Sequence, residues 1–198
     1  DVCSSDLTDG RGVTTTYSYD GPNMTGYVDG NGAAWGFTYD AMNRAVTMTD
    51  PLGNVTSNSY DANGNLTSKT AADGGVTAYT LDGVGNITAS TDALGNTTTY
   101  TYDKLHNMKS STNALDGTTS FSYDKYGNLV KETDPLGRSN TYSYDLAGQM
   151  TSAADPLGKI TAYTYDPAGN ITEITKPGGR KTSYGYDKNY NVTSVTDP

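Results

Sequence analysis

The chain has 198 residues and a formal net charge of −9, with 34% apolar residues, 23 glycines, 7 prolines and 17 tyrosines against 2 phenylalanines and 1 tryptophan. That balance excludes the basic footprint of a nucleic-acid-binding protein, and no stretch approaches the roughly 18 apolar residues of a membrane span. Cys3 is the single cysteine, which excludes a disulfide framework, and the weight of Tyr and Thr among turn-forming Gly and Pro points to an all-β chain rather than a disordered one.

The opening Asp1-Val2-Cys3-Ser4-Ser5-Asp6 does not fit the pattern that follows. It resembles the translation of a common sequencing adapter, so residues 1–6 are expected to be a non-native leader. No charged-then-apolar signal precedes the rest, and residues 7–198 are expected to be a repeat array truncated at both ends.

The array is marked by a dipeptide: Tyr19-Asp20, Tyr39-Asp40, Tyr60-Asp61, Tyr102-Asp103, Tyr123-Asp124, Tyr144-Asp145, Tyr165-Asp166 and Tyr186-Asp187, with Leu81-Asp82 in the remaining slot. The spacing is 20 residues once and 21 thereafter, giving nine copies of one unit. Each unit begins with an aromatic strand. Two residues before the Tyr stands a second ring (Tyr17, Phe37, Tyr79, Tyr100, Phe121, Tyr142, Tyr163 and Tyr184, with Asn58 the exception), which puts both on one face of a strand.

A turn follows, as in Asp61-Ala62-Asn63-Gly64-Asn65, where Asp can accept a hydrogen bond from the backbone two residues on and Gly takes positive φ. Asn43, His106 and Tyr190 depart from Gly in that slot, and the turn at Asp20 is one residue short. A second strand opens on an apolar residue (Ala45, Leu66, Ile87, Met108, Leu129, Met150, Ile171 and Val192). Its next apolar positions, Met48, Ile174 and Val195, lie three residues on, which breaks strict alternation and predicts a bulge. The unit closes with a second turn, Asp50-Pro51-Leu52-Gly53, Asp134-Pro135-Leu136-Gly137 or Asp155-Pro156-Leu157-Gly158.

These units predict tandem antiparallel β-hairpins of about 21 residues, roughly eighteen strands in all. Open sheets seldom exceed about ten strands without curling, so a curled, spiralling strip is expected. The Tyr face is expected to stack ring on ring across neighbouring strands, and the unpaired outer strands to promote self-association.

Tyr-Asp-x-x-Gly-Asn-Leu/Ile-Thr followed by Thr-Asp-Pro-Leu-Gly-x-x-Thr-x-Tyr-x-Tyr-Asp resembles the Rhs, or YD, repeat over residues 8–198. Members of that family include bacterial polymorphic toxins, wall-associated proteins, Tc toxin components and teneurins. The resemblance implies a β-strip wound into a hollow shell that, in the toxins, encloses a C-terminal effector. It implies as partners the remaining repeats, cap and effector of a longer secreted or surface chain. It also implies a structural role, not an enzyme, with the Tyr and Asp of each dipeptide as structural repeat residues.

Sharper chemistry has little support. Periodic Asp residues are turn formers before they are catalytic carboxylates, and the single histidine, His106, lacks the companions of a triad or a zinc site. No catalytic, cofactor-binding or metal residue is expected. Asp61-Ala62-Asn63-Gly64-Asn65 begins like a calcium loop, but Leu66 and Thr67 follow where further ligands are needed. Asn65-Leu66-Thr67, Asn86-Ile87-Thr88 and Asn170-Ile171-Thr172 are glycan acceptors in form, yet each follows from the repeat. The alternative function is a carbohydrate-binding or adhesive surface module, with Tyr rows stacking on glycans and Trp35 beside them.

Overall fold

The computed structural model describes residues 2–198, all of it strand and turn, in two compact units, Asp1–Thr98 and Thr99–Pro198. The first unit is a running antiparallel meander of β1 (Val2–Thr8), β2 (Thr14–Asp20), β3 (Asn23–Val28), β4 (Ala34–Tyr39), β5 (Ala45–Thr49), β6 (Val55–Tyr60), β7 (Leu66–Thr70), β8 (Val76–Leu81) and β9 (Ile87–Thr91). The second repeats the plan with β10 (Thr97–Tyr102), β11 (Met108–Thr112), β12 (Thr118–Tyr123), β13 (Leu129–Thr133), β14 (Ser139–Tyr144), β15 (Met150–Ala154), β16 (Ile160–Tyr165), β17 (Ile171–Lys176), β18 (Arg180–Tyr186) and β19 (Val192–Thr196). Residues 2–6, expected to be a leader, lie within β1, which pairs with β2 in unbroken register from Val2 opposite Asp20 to Thr8 opposite Thr14.

Each aromatic strand meets the following apolar strand through a bulge. In β6 and β7, Ser59 faces Ser68 and Tyr60 faces Leu66, so Thr67 is the extra residue. The same shift separates Thr164 from Tyr165 opposite β17, and it recurs in every hairpin that follows a Tyr-Asp or Leu-Asp dipeptide. It accounts for the three-residue apolar spacing. One inserted residue returns Ile174 to the face of Ile171, opposite Tyr163 and Tyr165 respectively.

Alternation is plain in the aromatic strands. In β8, Thr77, Tyr79 and Leu81 are half-buried while Val76, Ala78 and Thr80 are exposed, and β12 repeats the pattern around Phe121 and Tyr123. Among the described side chains none is fully buried, so neither unit has a conventional core. A domain normally covers the apolar face of one layer with a second. Here that face is only half-covered, by neighbouring side chains of its own sheet.

Rings do not stack along the whole face as expected. The register places an aliphatic or small residue opposite most rings: Leu66 by Tyr60, Met108 by Tyr102, Ala153 by Tyr142, Val195 by Tyr184. Aromatic strands alternate with apolar ones, so a ring most often faces an alkyl or small side chain, while Phe121 faces Glu132. Close ring pairs gather where Tyr27 stands in an apolar strand: it lies 4.6 Å from Trp35 in a stacked pair, 6.1 Å from Tyr17 and 6.3 Å from Phe37.

Candidate functional site

The recurrent polar group of this chain is the turn, and the two turns that differ in sequence share one geometry. After the Tyr of β6, Gly64 N–H donates to Asp61 O (3.1 Å) and Asp61 N–H to Asn65 O (3.0 Å). After β5, Gly53 N–H donates to Asp50 O (2.9 Å) and Asp50 N–H to Asn54 O (3.0 Å). Gly64 has φ 93° and Gly53 φ 84°. This is a three-residue hairpin loop in which a type I turn is followed by a left-handed residue.

The Asp carboxylate holds the loop from inside. Asp61 Oδ1 accepts the N–H of Asn63 and of Asn65, both at 2.9 Å, and Oδ2 accepts Asn65 Nδ2 at 2.9 Å. Asp40, Asp82, Asp103, Asp124, Asp145, Asp166 and Asp187 take the same two backbone donors in the other first turns. Asp9, Asp29, Asp50, Asp92, Asp134 and Asp155 do so in second turns. The short turn at Asp20 is different: Asp20 pairs directly with Asn23 across Gly21 (φ 57°) and Pro22, a two-residue loop of type II′ form.

These bonds act on the charged form. Asn65 holds the Asp61 carboxyl below the usual carboxylate range, through its side-chain amide first and its backbone N–H second. Asp50, Asp92, Asp166 and Asp187 are lowered for the same leading reason. Arg138 lowers Asp134, chiefly by its side-chain hydrogen bond.

In at least four of the repeats the Tyr of the dipeptide is fixed by its hydroxyl. Tyr39 donates to Met24 O at 2.9 Å, Tyr60 to Ala45 O at 2.9 Å, Tyr165 to Met150 O at 2.7 Å and Tyr186 to Ile171 O at 2.9 Å. Ala45, Met150 and Ile171 open the preceding apolar strand, and Met24 is the second residue of β3. In β15 and β16 the ladder covers only Ser152 to Ala154, and the bulge leaves Met150 O beyond it. The hydroxyl satisfies that carbonyl, which an aromatic ring alone could not do. The ring two residues earlier has no such duty, which is why Phe37 and Phe121 stand there. Tyr165→Phe is expected to cost about 1 kcal/mol of stability, and Tyr163→Phe less than about 0.5 kcal/mol, compared by urea denaturation.

Neighbouring first turns also touch. Arg44 Nη1 donates to Asp61 O at 3.0 Å while its guanidinium lies 4.7 Å from the centre of the Tyr60 ring, and Asn23 Nδ2 donates to Asn43 Oδ1 at 2.7 Å. A Cβ on Gly85 would stand 3.0 Å from Asn65 Oδ1 in the previous turn. His106 and Tyr190 occupy the left-handed slot at φ 65° and 64°. Tyr190 is 64% exposed, and Tyr190→Gly is expected to raise stability by about 1 kcal/mol by removing the left-handed penalty, read as an increased denaturation midpoint.

The arrangement leaves little for other chemistry. Among the described residues no group of three His, Cys, Asp or Glu is placed to hold a metal, and the Asp61 oxygens that would begin a calcium loop accept the turn's own donors. The amides of Asn65 and Asn170, acceptors of a glycan in sequence, donate to Asp61 and Asp166 at 2.9 Å. Trp35 and Tyr27 stack at 12° between planes, so each ring covers one face of the other. No helix among the described residues is long and apolar enough to cross a membrane.

Comparison with known proteins agrees with this repeat geometry. The RHS Repeat family matches seven overlapping segments, residues 23–55, 60–96, 82–119, 104–139, 123–160, 144–181 and 165–198. The crystal structure of TcdB2-TccC3-Cdc42 is similar with a TM-score of 0.67 at 17% identity, covering 97% of this chain and 13% of that one. TcdB2-TccC3 without its hypervariable C-terminal region gives 0.61 at 15% identity, covering 99% and 14%. At these identities the likeness is one of fold, and the chain spans a small part of either structure. A search of curated protein sequences returned no match.

Proposed function

The chain belongs to the RHS repeat family, and on that premise we propose that it is a wall segment of a large secreted or surface shell that encloses or displays an effector. The observation that carries this reading is a sheet of repeated, capped hairpins with no fully buried side chain among those described. Such a sheet is a building surface: its recurrent polar groups are committed to turns and bulges, and its aromatic face is left for a larger assembly. The fold shared with the TcdB2-TccC3 structures supports this placement. Its partners are then further repeats, a cap and an effector of the same longer chain, and its role is structural rather than catalytic. The glycan-binding alternative has less support, because the closest rings stack on each other.

Protease protection of the full-length protein tests the proposal. The effector should resist digestion while the repeats are folded and become sensitive when they are unfolded. An effector equally sensitive in both states would remove the enclosing role.

A further inference from the structure

The third residue of consecutive second turns in the second unit is a leucine that touches almost nothing: Leu115 is 90% exposed, Leu136 77% and Leu157 79%. Successive leucines are two strands apart, so the row repeats about every 10 Å along one long edge of the sheet. Between the turns of Leu136 and Leu157 lies a notch of about 500 Å³, lined by Glu132, Arg138, Asp155 and Pro156 among others. Knobs and notch therefore share one edge and one spacing. A monomer has no use for apolar tips held out in line on rigid, carboxylate-capped loops.

The charges on this edge select the occupant. Asp116 stands exposed at one end, beside Leu115. The middle turns are internally balanced: Arg138 pairs with Asp134 at 2.6 Å, and Lys159 accompanies Asp155. At the other end Lys176 replaces the capping Asp, and Arg180 follows it, both exposed; Lys181 is tied to Glu173 at 2.9 Å. The leucines thus lie between a negative turn at Asp116 and a positive one at Lys176 and Arg180, with Asp197 exposed in the next turn beyond.

We propose that this turn edge is a self-association surface, on which a second copy of the chain packs antiparallel about a two-fold axis near Leu136 and Leu157. The antiparallel arrangement sets Leu136 of each copy beside Leu157 of the other, and Asp116 of each against Lys176 and Arg180 of the other. A parallel arrangement would oppose like charges. An interface of one turn row is small, so the dimer is weak, in the micromolar range or above.

Sedimentation equilibrium of the whole chain, from about 1 μM to 1 mM, tests this. The wild type should show a monomer–dimer equilibrium, and Leu136→Asp with Leu157→Asp should weaken it at least tenfold, with far-UV circular dichroism checking the fold. Lys176→Glu with Arg180→Glu should also weaken it, and adding Asp116→Lys should restore it. A wild type monomeric throughout, leucine variants that associate as the wild type does, or failure of the charge reversal to restore would each overturn the proposal. Loss of association in Val195→Lys, with the leucine variants unaffected, would assign the contact to the open edge of β19 and equally overturn it.

Discussion

Both units should unfold as the pH is lowered from about 6 to about 2, in a transition much steeper than a single carboxylate would give. Eleven aspartates, among them Asp50, Asp61, Asp82, Asp103, Asp124 and Asp187, are held below their ordinary value by hydrogen bonds to the ionised form. A carboxyl whose folded value is depressed contributes its full stabilisation above the unfolded value, near 3.9 for aspartate, and loses it as pH falls through the folded value. The effect recurs turn after turn, so the losses accumulate in one narrow window below about pH 4. Urea denaturation followed by circular dichroism at a series of pH values measures it, and stability unchanged across the window would contradict the capping role. Asp61→Asn isolates one site. The asparagine keeps an acceptor for Asn63 and Asn65 N–H but sets its own amide against Asn65 Nδ2, so the variant should be less stable at neutral pH. Asn113 shows how the chain itself uses an amide here: its fourth residue on is Gly117, which has no side chain to oppose it.

Gly85→Val should be a strongly damaging substitution for a turn, at about 2 to 3 kcal/mol. Gly85 has φ 93°, a conformation that a β-branched residue avoids. The added Cβ would also stand 3.0 Å from Asn65 Oδ1, whose amide is already committed to Asp61. Backbone strain and a disturbed neighbouring cap therefore add. Gly127→Val carries the strain alone, since nothing lies within 4 Å of its Cβ position, and should cost less. Hydrogen exchange resolves the two, because in a repeat array the damage is read locally, in the hairpins on either side of Gly85.

The hairpins were legible because three independent signals coincide: paired rings at a spacing of two, Asp-led turns with Gly, and apolar residues shifted by one. The last forecast the bulge, which β6–β7 and its counterparts contain. What escaped the sequence was which side chains face each other across the strands. Ring-on-ring stacking was expected from Tyr periodicity alone, but the aromatic and apolar strands alternate, so Tyr60 meets Leu66 and Tyr165 meets Ile171. The Tyr hydroxyl bond also escaped, since its acceptor lies 15 residues back, as from Tyr165 to Met150, and depends on where the ladder stops. A signal for it was present: Phe occurs two residues before the dipeptide, at Phe37 and Phe121, but not within it. The common geometry of the two turns was hidden by proline, because Asp50-Pro51-Leu52-Gly53 and Asp61-Ala62-Asn63-Gly64 share only their first and last residues.

The central claim is that these repeats form part of an enclosing wall. Electron cryomicroscopy of the full-length protein containing residues 7–198 tests it most directly. A hollow particle with this segment in its wall and effector density inside is the predicted result. An open strip, with solvent on both faces of these repeats and no enclosed volume, would contradict it.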